Sequence, residues 1–253
     1  MAESLDYSLI AHLYDLIVRS TFDIPFFLNE ARKTNGEILE LMAGTGRISL
    51  PLVEAGAHLT CVDNSPKMLN ILREKLDSQW LSATVILMDV RELALPRLYD
   101  QIILAFHSFA ELITPSDQRE TLSGVYHHLA DSGQFICTLH NPKIRLKSVD
   151  GQLRLWGRYP LAEKEGALLL WGLENFNAED YVISGLEFFE AYDQRGVMRS
   201  RSFLEFQFGL LEKDEFEDLA ISTGFTIEAL YGDYTYTAFN DETSPYMIWI
   251  LRK

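Results

Sequence analysis

Between Glu37 and His140 apolar strands and amphipathic helices alternate without a break, and this rhythm constrains the fold more than any other feature of the chain. Strand one is expected at Glu37–Leu41, strand two at His58–Asp63, and strands three, four and five at 83–88, 100–106 and 134–140. Each is a near-continuous apolar run, as required when helices cover both faces of a parallel sheet. The intervening segments have helical spacing. The clearest puts Ser65 at the N-cap and Pro66 at the first helical position, with Met68, Leu69, Leu72 and Leu76 on one face. A second begins at Thr114-Pro115, with Leu122, Val125, Tyr126 and Leu129 inward. The architecture predicted is α/β: a doubly wound, mostly parallel sheet.

The flanking regions differ. Two helices precede the alternation, one on Ala11, Leu13, Leu16 and Ile17, the other on Phe26, Phe27, Leu28 and Ala31. Segments 154–157, 168–173, 181–192 and 197–208 read as consecutive strands, the last two joined by a hairpin at Asp193-Gln194-Arg195-Gly196. This is an antiparallel β insertion after strand five. Residues 1–149 and 210–253 then form one domain, and 150–209 a lid over one edge or mouth of the sheet. The chain closes with a helix at 212–223 and strands at 225–231 and 246–251.

Composition excludes several classes. The 253 residues carry a formal net charge of -15, which repels phosphate backbones and anionic lipid surfaces. Lys143, Arg145 and Lys147 form a weak basic patch, expected to be a solvated loop. No apolar run approaches the roughly 20 residues of a membrane-spanning helix. The opening Met-Ala-Glu-Ser has no basic leader. Cys61 and Cys137 lie inside strands and read as buried free thiols, so a reducing, cytoplasmic setting is expected. His and Cys do not cluster, so no metal site is expected.

The chemistry begins straight after strand one, at Glu40-Leu41-Met42-Ala43-Gly44-Thr45-Gly46. Glycines permit a tight turn and let a ligand approach the backbone, and the following helix start offers free N–H groups. A glycine pair alone is a weak signal. Asp63 strengthens it: it closes strand two, where a carboxylate can accept both ribose hydroxyls of an adenosine ligand. Asp89 follows strand three, where it can accept from an adenine amino group, with the Val90 backbone alongside. Strand four ends at Ala105-Phe106, near the switch point at which such sheets bind ligands.

These residues, with Asp131-x-Gly133 before strand five, resemble the class I S-adenosylmethionine-dependent methyltransferases over 36–140. The final helix–strand–strand is similar to the same family. The resemblance implies a seven-stranded Rossmann-like sheet with its last strand antiparallel, and S-adenosylmethionine as cofactor, leaving as S-adenosylhomocysteine. It implies that Gly44 and Gly46 border the methionine moiety, with Met42 and Ala43 among the cofactor-binding residues, and that Glu40 orients the loop or, through water, the amino group. Asp63 would hold the ribose, Asn64 and Met68 flank the adenosine, and Asp89 and Val90 read the adenine. Ala105 and Phe106 would lie by the amino acid end, and Tyr14 would close over the cofactor or pack in the core. One departure is informative. Members acting on nucleic acids or protein amides often carry Asn/Asp-Pro-Pro-Tyr/Phe after strand four, where this chain has His107-Ser108-Phe109-Ala110.

A small-molecule acceptor is therefore expected, methylated on nitrogen or oxygen by in-line displacement. The insertion resembles, loosely, that of sugar N-methyltransferases and glycine-type N-methyltransferases. His107 and His140, after strands four and five, are the catalytic candidates, each with a purely structural alternative. Trp156, Tyr159 and Trp171 are candidates for an acceptor wall, and the insertion is a candidate surface for a homodimer. Two other readings stand. One is an NAD-dependent oxidoreductase, against which position 49 is Ser where a third glycine belongs. The other is a cofactor-binding protein without catalysis.

Overall fold

The computed structural model describes residues 6–161 and 166–253. The first five residues, read above for a leader, lie outside the described residues, as do 162–165 of the insertion. Helices α1 (Ala11–Ile17) and α2 (Ile24–Ala31) lead into β1 (Glu37–Leu41), α3 (Ser49–Glu54), β2 (His58–Asp63), α4 (Pro66–Ser78) and β3 (Thr84–Leu87). Then follow β4 (Tyr99–Leu104), α5 (Pro115–His128), β5 (Leu129–His140) and a short α6 (Pro142–Arg145). The expected caps are present: Ser65 Oγ accepts from Met68 N at 3.4 Å, and Thr114 Oγ1 from Asp117 N at 3.1 Å.

Strands β6 (Arg154–Pro160), β7 (Ala167–Asn177), β8 (Val182–Tyr192) and β9 (Met198–Gly209) form a separate four-stranded antiparallel sheet. Helix α7 (Lys213–Thr223) returns the chain to the main sheet through β10 (Thr226–Tyr231) and β11 (Tyr246–Arg252). A capping box between Glu212 and Glu215 starts α7, and left-handed Gly224 ends it.

The main sheet has seven strands in the order β3-β2-β1-β4-β5-β11-β10. β1 to β5 are parallel, and β11 runs antiparallel to both β5 and β10. Chain order reverses between β1 and β4, so the binding crevice belongs at the carboxyl ends of those two strands. The sheet has a core on each face. Phe26, Phe27, Leu52, Leu69 and Leu72 of α2 to α4 cover one; Leu122, Val125, Phe216 and Ala220 of α5 and α7 cover the other. A third core joins Ile10 and neighbouring α1 side chains to Leu168, Leu170, Phe189 and Leu204 of the four-stranded sheet. Helix α1 thereby fastens that sheet over the mouth of the crevice.

Strand four is shorter than expected at its carboxyl end. Phe106 and His107 take left-handed backbone angles (φ 56° and 64°), which no ladder accommodates. Residues 141–148 are not an open loop. Asn141 caps α6 by accepting from Lys143 N at 3.1 Å, and Arg145 is drawn in to pair with Glu174 of β7. Cys61 and Cys137 are buried free thiols. Among the described residues no helix is long and apolar enough to cross a membrane, and no group of His, Cys, Asp and Glu could hold a metal.

Candidate active site

The glycine loop is built from the carboxylates inward. Glu40 is buried on β1, and Ser49 Oγ donates to its Oε2 at 2.5 Å. Burial pushes the Glu40 carboxyl up to about 7, against the hydrogen bond from Ser49 and the charge of Arg47. The serine at the third-glycine position of a dinucleotide loop is thus a tie between the loop's helix and the strand before it. Asp63 accepts from Gly44 N through Oδ2 and from Ser65 N through Oδ1, both at 2.8 Å. It pins the loop to β2 and still has unused lone pairs, since a carboxylate offers about four acceptor positions. Burial raises its pKa despite these N–H donors.

The two glycines have different tasks. Gly44 (φ 56°) faces open space, and a Cβ there would meet nothing within 4 Å, so a ligand can lie against its backbone. A Cβ on Gly46 (φ 86°) would stand 2.3 Å from Leu72 Cδ1, so that residue lets α4 pack against the loop. Gly46→Ala is expected to destabilise the fold by about 2–3 kcal/mol, overpacking and left-handed strain together. Gly44→Ala, with strain alone, should cost about 1 kcal/mol. Urea unfolding of the two variants reads the difference.

Met42, Phe106 and His107 are non-glycine residues with positive φ, at 55°, 56° and 64°. They flank the crevice at the ends of β1 and β4, and such angles cost on the order of 1–3 kcal/mol each. Over them lies a cavity of about 370 Å³. Its lining includes Gly44, Asp63, Asn64 and Met68 after β1 and β2; Phe106, His107, Glu111, His140 and Tyr246 at the ends of β4, β5 and β11; Tyr7 and Tyr14 of the N-terminal segment; and Ile183 and Phe208 of the four-stranded sheet. Ile183 and Phe208 come from β8 and β9, so the added sheet roofs the crevice.

His107 and His140 stack face to face with ring centroids 3.8 Å apart, and Tyr246 stacks on His107 at 5.0 Å. The buried Nδ1 of the His107 ring has no hydrogen-bond partner among the described residues. Burial, then the neighbouring His140, holds the His107 pKa well below 6.5. Burial and Arg145 bring His140 down to about 4. Both rings are neutral near pH 7.

Of the residues singled out in the sequence, the cavity gathers Tyr14, Met42, Gly44, Asp63, Asn64, Met68, Phe106, His107 and His140. Glu40, Ala43, Gly46 and Ala105 stand behind this surface, supporting the loop and the end of β4. Asp89 turns aside: its carboxylate accepts from Arg91 Nε at 2.9 Å and Nη2 at 2.6 Å, and Val90 is buried next to it. Trp156, Tyr159 and Trp171 are not on the cavity. Trp156 covers Gly172, and Trp171 Nε1 donates to Glu190 at 3.0 Å.

The sequence reading missed Tyr7, Glu111 and Arg145. Glu111 follows Phe109-Ala110 in a 3-10 turn and looks like any surface acid. Only its position just after strand four hints at a role, since burial comes from strands some seventy residues later.

Three comparisons bear on this geometry. Residues 38–133 match the model of a methyltransferase domain. The glycine/sarcosine N-methyltransferase of Aphanothece halophytica is 25% identical over 233 residues, which span 90% of this chain and 81% of that protein. The crystal structure of a S-adenosylmethionine-dependent methyltransferase from Clostridium acetobutylicum superposes with a TM-score of 0.81 at 20% identity, covering 97% of this chain and 98% of that one. The sugar N-methyltransferase KedS8 from Streptoalloteichus superposes with a TM-score of 0.75 at 16% identity, over 100% and 95%. The chain therefore carries a methyltransferase domain over residues 38–133 and has the fold of S-adenosylmethionine-dependent methyltransferases.

Proposed function

We propose that this enzyme methylates a nitrogen of a small-molecule acceptor held under the four-stranded sheet. The observation carrying this reading is the single cavity that runs from Gly44 and Asp63 to Ile183 and Phe208. Donor-side and acceptor-side walls meet inside one cavity of about 370 Å³. The relatives named as N-methyltransferases support nitrogen as the nucleophile.

The donor side fits the cofactor. Gly44 is open to close backbone approach, and Asp63 keeps acceptor capacity toward the cavity for a ribose diol. S-adenosylmethionine supplies a sulfonium methyl, an electrophile that needs no further activation. The protein aligns the acceptor with it and excludes water. The nitrogen lone pair forms the bond to the methyl carbon as the carbon–sulfur bond breaks, and that bonding pair stays on sulfur. An acceptor that enters as an ammonium must first lose one proton, which passes to solvent before the amine is aligned with the methyl.

His107 and His140 present that nitrogen with neutral, stacked rings on the cavity wall. Their depressed pKa values make them poor stores for a proton. We assign them to accepting a hydrogen bond from the acceptor and orienting it. The test is transfer of labelled methyl to a metabolite panel of amines and alcohols. Transfer only to protein or RNA, or binding of S-adenosylhomocysteine with no transfer at all, overturns the reading. His107→Ala and His140→Ala are each expected to lower kcat about 10- to 100-fold, with S-adenosylhomocysteine affinity unchanged. Full turnover in both variants removes the histidines from the mechanism.

A further inference from the structure

A second cleft, of about 700 Å³, lies between the four-stranded sheet and the turn after β4. Asn175, Ser184 and Gln207 give it a polar wall, the acids Asp6 and Glu205 also line it, and it shares Glu111 with the first cavity. The two spaces therefore meet at one carboxylate. Tyr7 Oη donates to Glu111 Oε1 at 3.3 Å, a long bond, and among the described residues Glu111 has no ion-pair partner.

The nearby cations are committed elsewhere. Arg47 is held by Asp23 at 2.5 and 2.7 Å and stacks over Phe106. Arg145 is taken by Glu174, and Lys75 by Asp15 at 2.5 Å. Acids, in contrast, face Glu111 without relief. Asp63 repels it across the cavity, and Glu187 of β8 acts with it on Tyr7 and Tyr14. An enclosed carboxylate without a counter-charge keeps its proton until a ligand brings a cation.

We propose that the second cleft is the acceptor's approach and that Glu111 receives its ammonium group, so that the substrate class is a hydroxylated amine. This rests on the methyltransferase reading above. The hydroxyls fall to Asn175, Ser184 and Gln207, and the charged nitrogen to Glu111, within reach of the methyl-transfer cavity. Burial first, then Asp63, pushes the Glu111 carboxyl up to about 8. The groups acting on it are Tyr7 and Tyr14 from the N-terminal segment and Asp63 from β2; Glu187 of β8 and Arg47 act on the tyrosines. The sign follows from the raised value. Below about 8 the acid is protonated in the free enzyme and attracts a cation weakly. Amine affinity therefore rises as pH rises through that value, until the amine itself loses charge, and amine binding at pH 7 releases a proton.

The test uses the full chain loaded with S-adenosylhomocysteine and two probes on one skeleton, glucamine and sorbitol. Ligand-observed NMR and calorimetry in two buffers are expected to show glucamine binding at least 10-fold tighter than sorbitol, with proton release. In Glu111→Gln the preference should fall to near unity and the pH dependence vanish, while S-adenosylhomocysteine affinity stays within twofold. Glu111→Asp should restore part of both. Equal binding of the probes, binding of neither, or an unchanged preference in Glu111→Gln overturns the inference. If Glu111→Gln no longer binds S-adenosylhomocysteine, the wild-type proton release and Glu111→Asp decide. Methyl transfer to neutral alcohols that ignores Glu111 would sink this inference and leave the methyltransferase reading standing. Glu111-dependent amine binding without any transfer would do the reverse.

Discussion

Asp63→Ala is expected to lower affinity for S-adenosylhomocysteine by at least about 100-fold, roughly 2.7 kcal/mol. Two losses combine. The carboxylate is the group at the end of β2 with capacity for a ribose diol, and hydrogen bonds to a charged acceptor are worth about 1.5–3 kcal/mol each. It also holds the loop, since both Gly44 N and Ser65 N donate to it at 2.8 Å. Without it those two N–H groups lose their acceptors in a mostly buried place, and the loop that should meet the ligand is no longer pinned. Asp63→Asn keeps one carbonyl oxygen and should fall between the variant and wild type. Titration calorimetry with S-adenosylhomocysteine measures all three, and an affinity within a few-fold of wild type in Asp63→Ala would remove Asp63 from the donor site.

The second large effect is on stability. Arg47→Ala should cost about 3–5 kcal/mol, because it leaves the Asp23 carboxylate buried and unpaired. Asp23 is fully buried, and Arg47 binds it through both terminal nitrogens, with Nη1 also donating to the Ser20 carbonyl at 2.9 Å. This fork fastens the segment between α1 and α2 to the helix start beyond the glycine loop. It also lays the guanidinium over the Phe106 ring, 4.4 Å from its centroid. Removing both partners in Arg47→Leu/Asp23→Leu should cost less than Arg47→Ala alone, since no orphan charge remains. Urea unfolding of the three variants tests this, and a double variant worse than the single one would show that the pair itself is the stabilising element.

Most of the cavity wall at the glycine loop was legible in the sequence. Strand-end positions follow from periodicity, so Gly44, Asp63 and the end of strand four had to converge at the crevice of a doubly wound sheet. Met68 followed from a helix whose cap is written in Ser65-Pro66. The sequence was less informative where identity and role separate. Both glycines looked alike in the loop, yet Gly44 faces the cavity and Gly46 faces Leu72. Asp89 looked like Asp63, yet it is engaged by Arg91, two residues along the chain. Left-handed angles at Met42, Phe106 and His107 carry no residue signature, because none of the three is a glycine or asparagine.

The proposed acceptor side was hidden for a different reason. Its walls are assembled from Tyr7, Glu111, Arg145, Ile183 and Phe208, which lie far apart along the chain. The insertion was visible as alternating strands, but not which of its residues would roof the crevice. Trp156 and Trp171, the conspicuous choices, pack within their own sheet, while less conspicuous Ile183 and Phe208 reach the cavity. By itself the sequence determined the sheet, its helices, the glycine loop and the acid that holds it, since these depend on local spacing and on strand ends. Only the tertiary structure decided what faces the acceptor. Burial of Glu111 without a counter-charge arises when α1 and the four-stranded sheet close over the turn after β4, and no local pattern records that meeting.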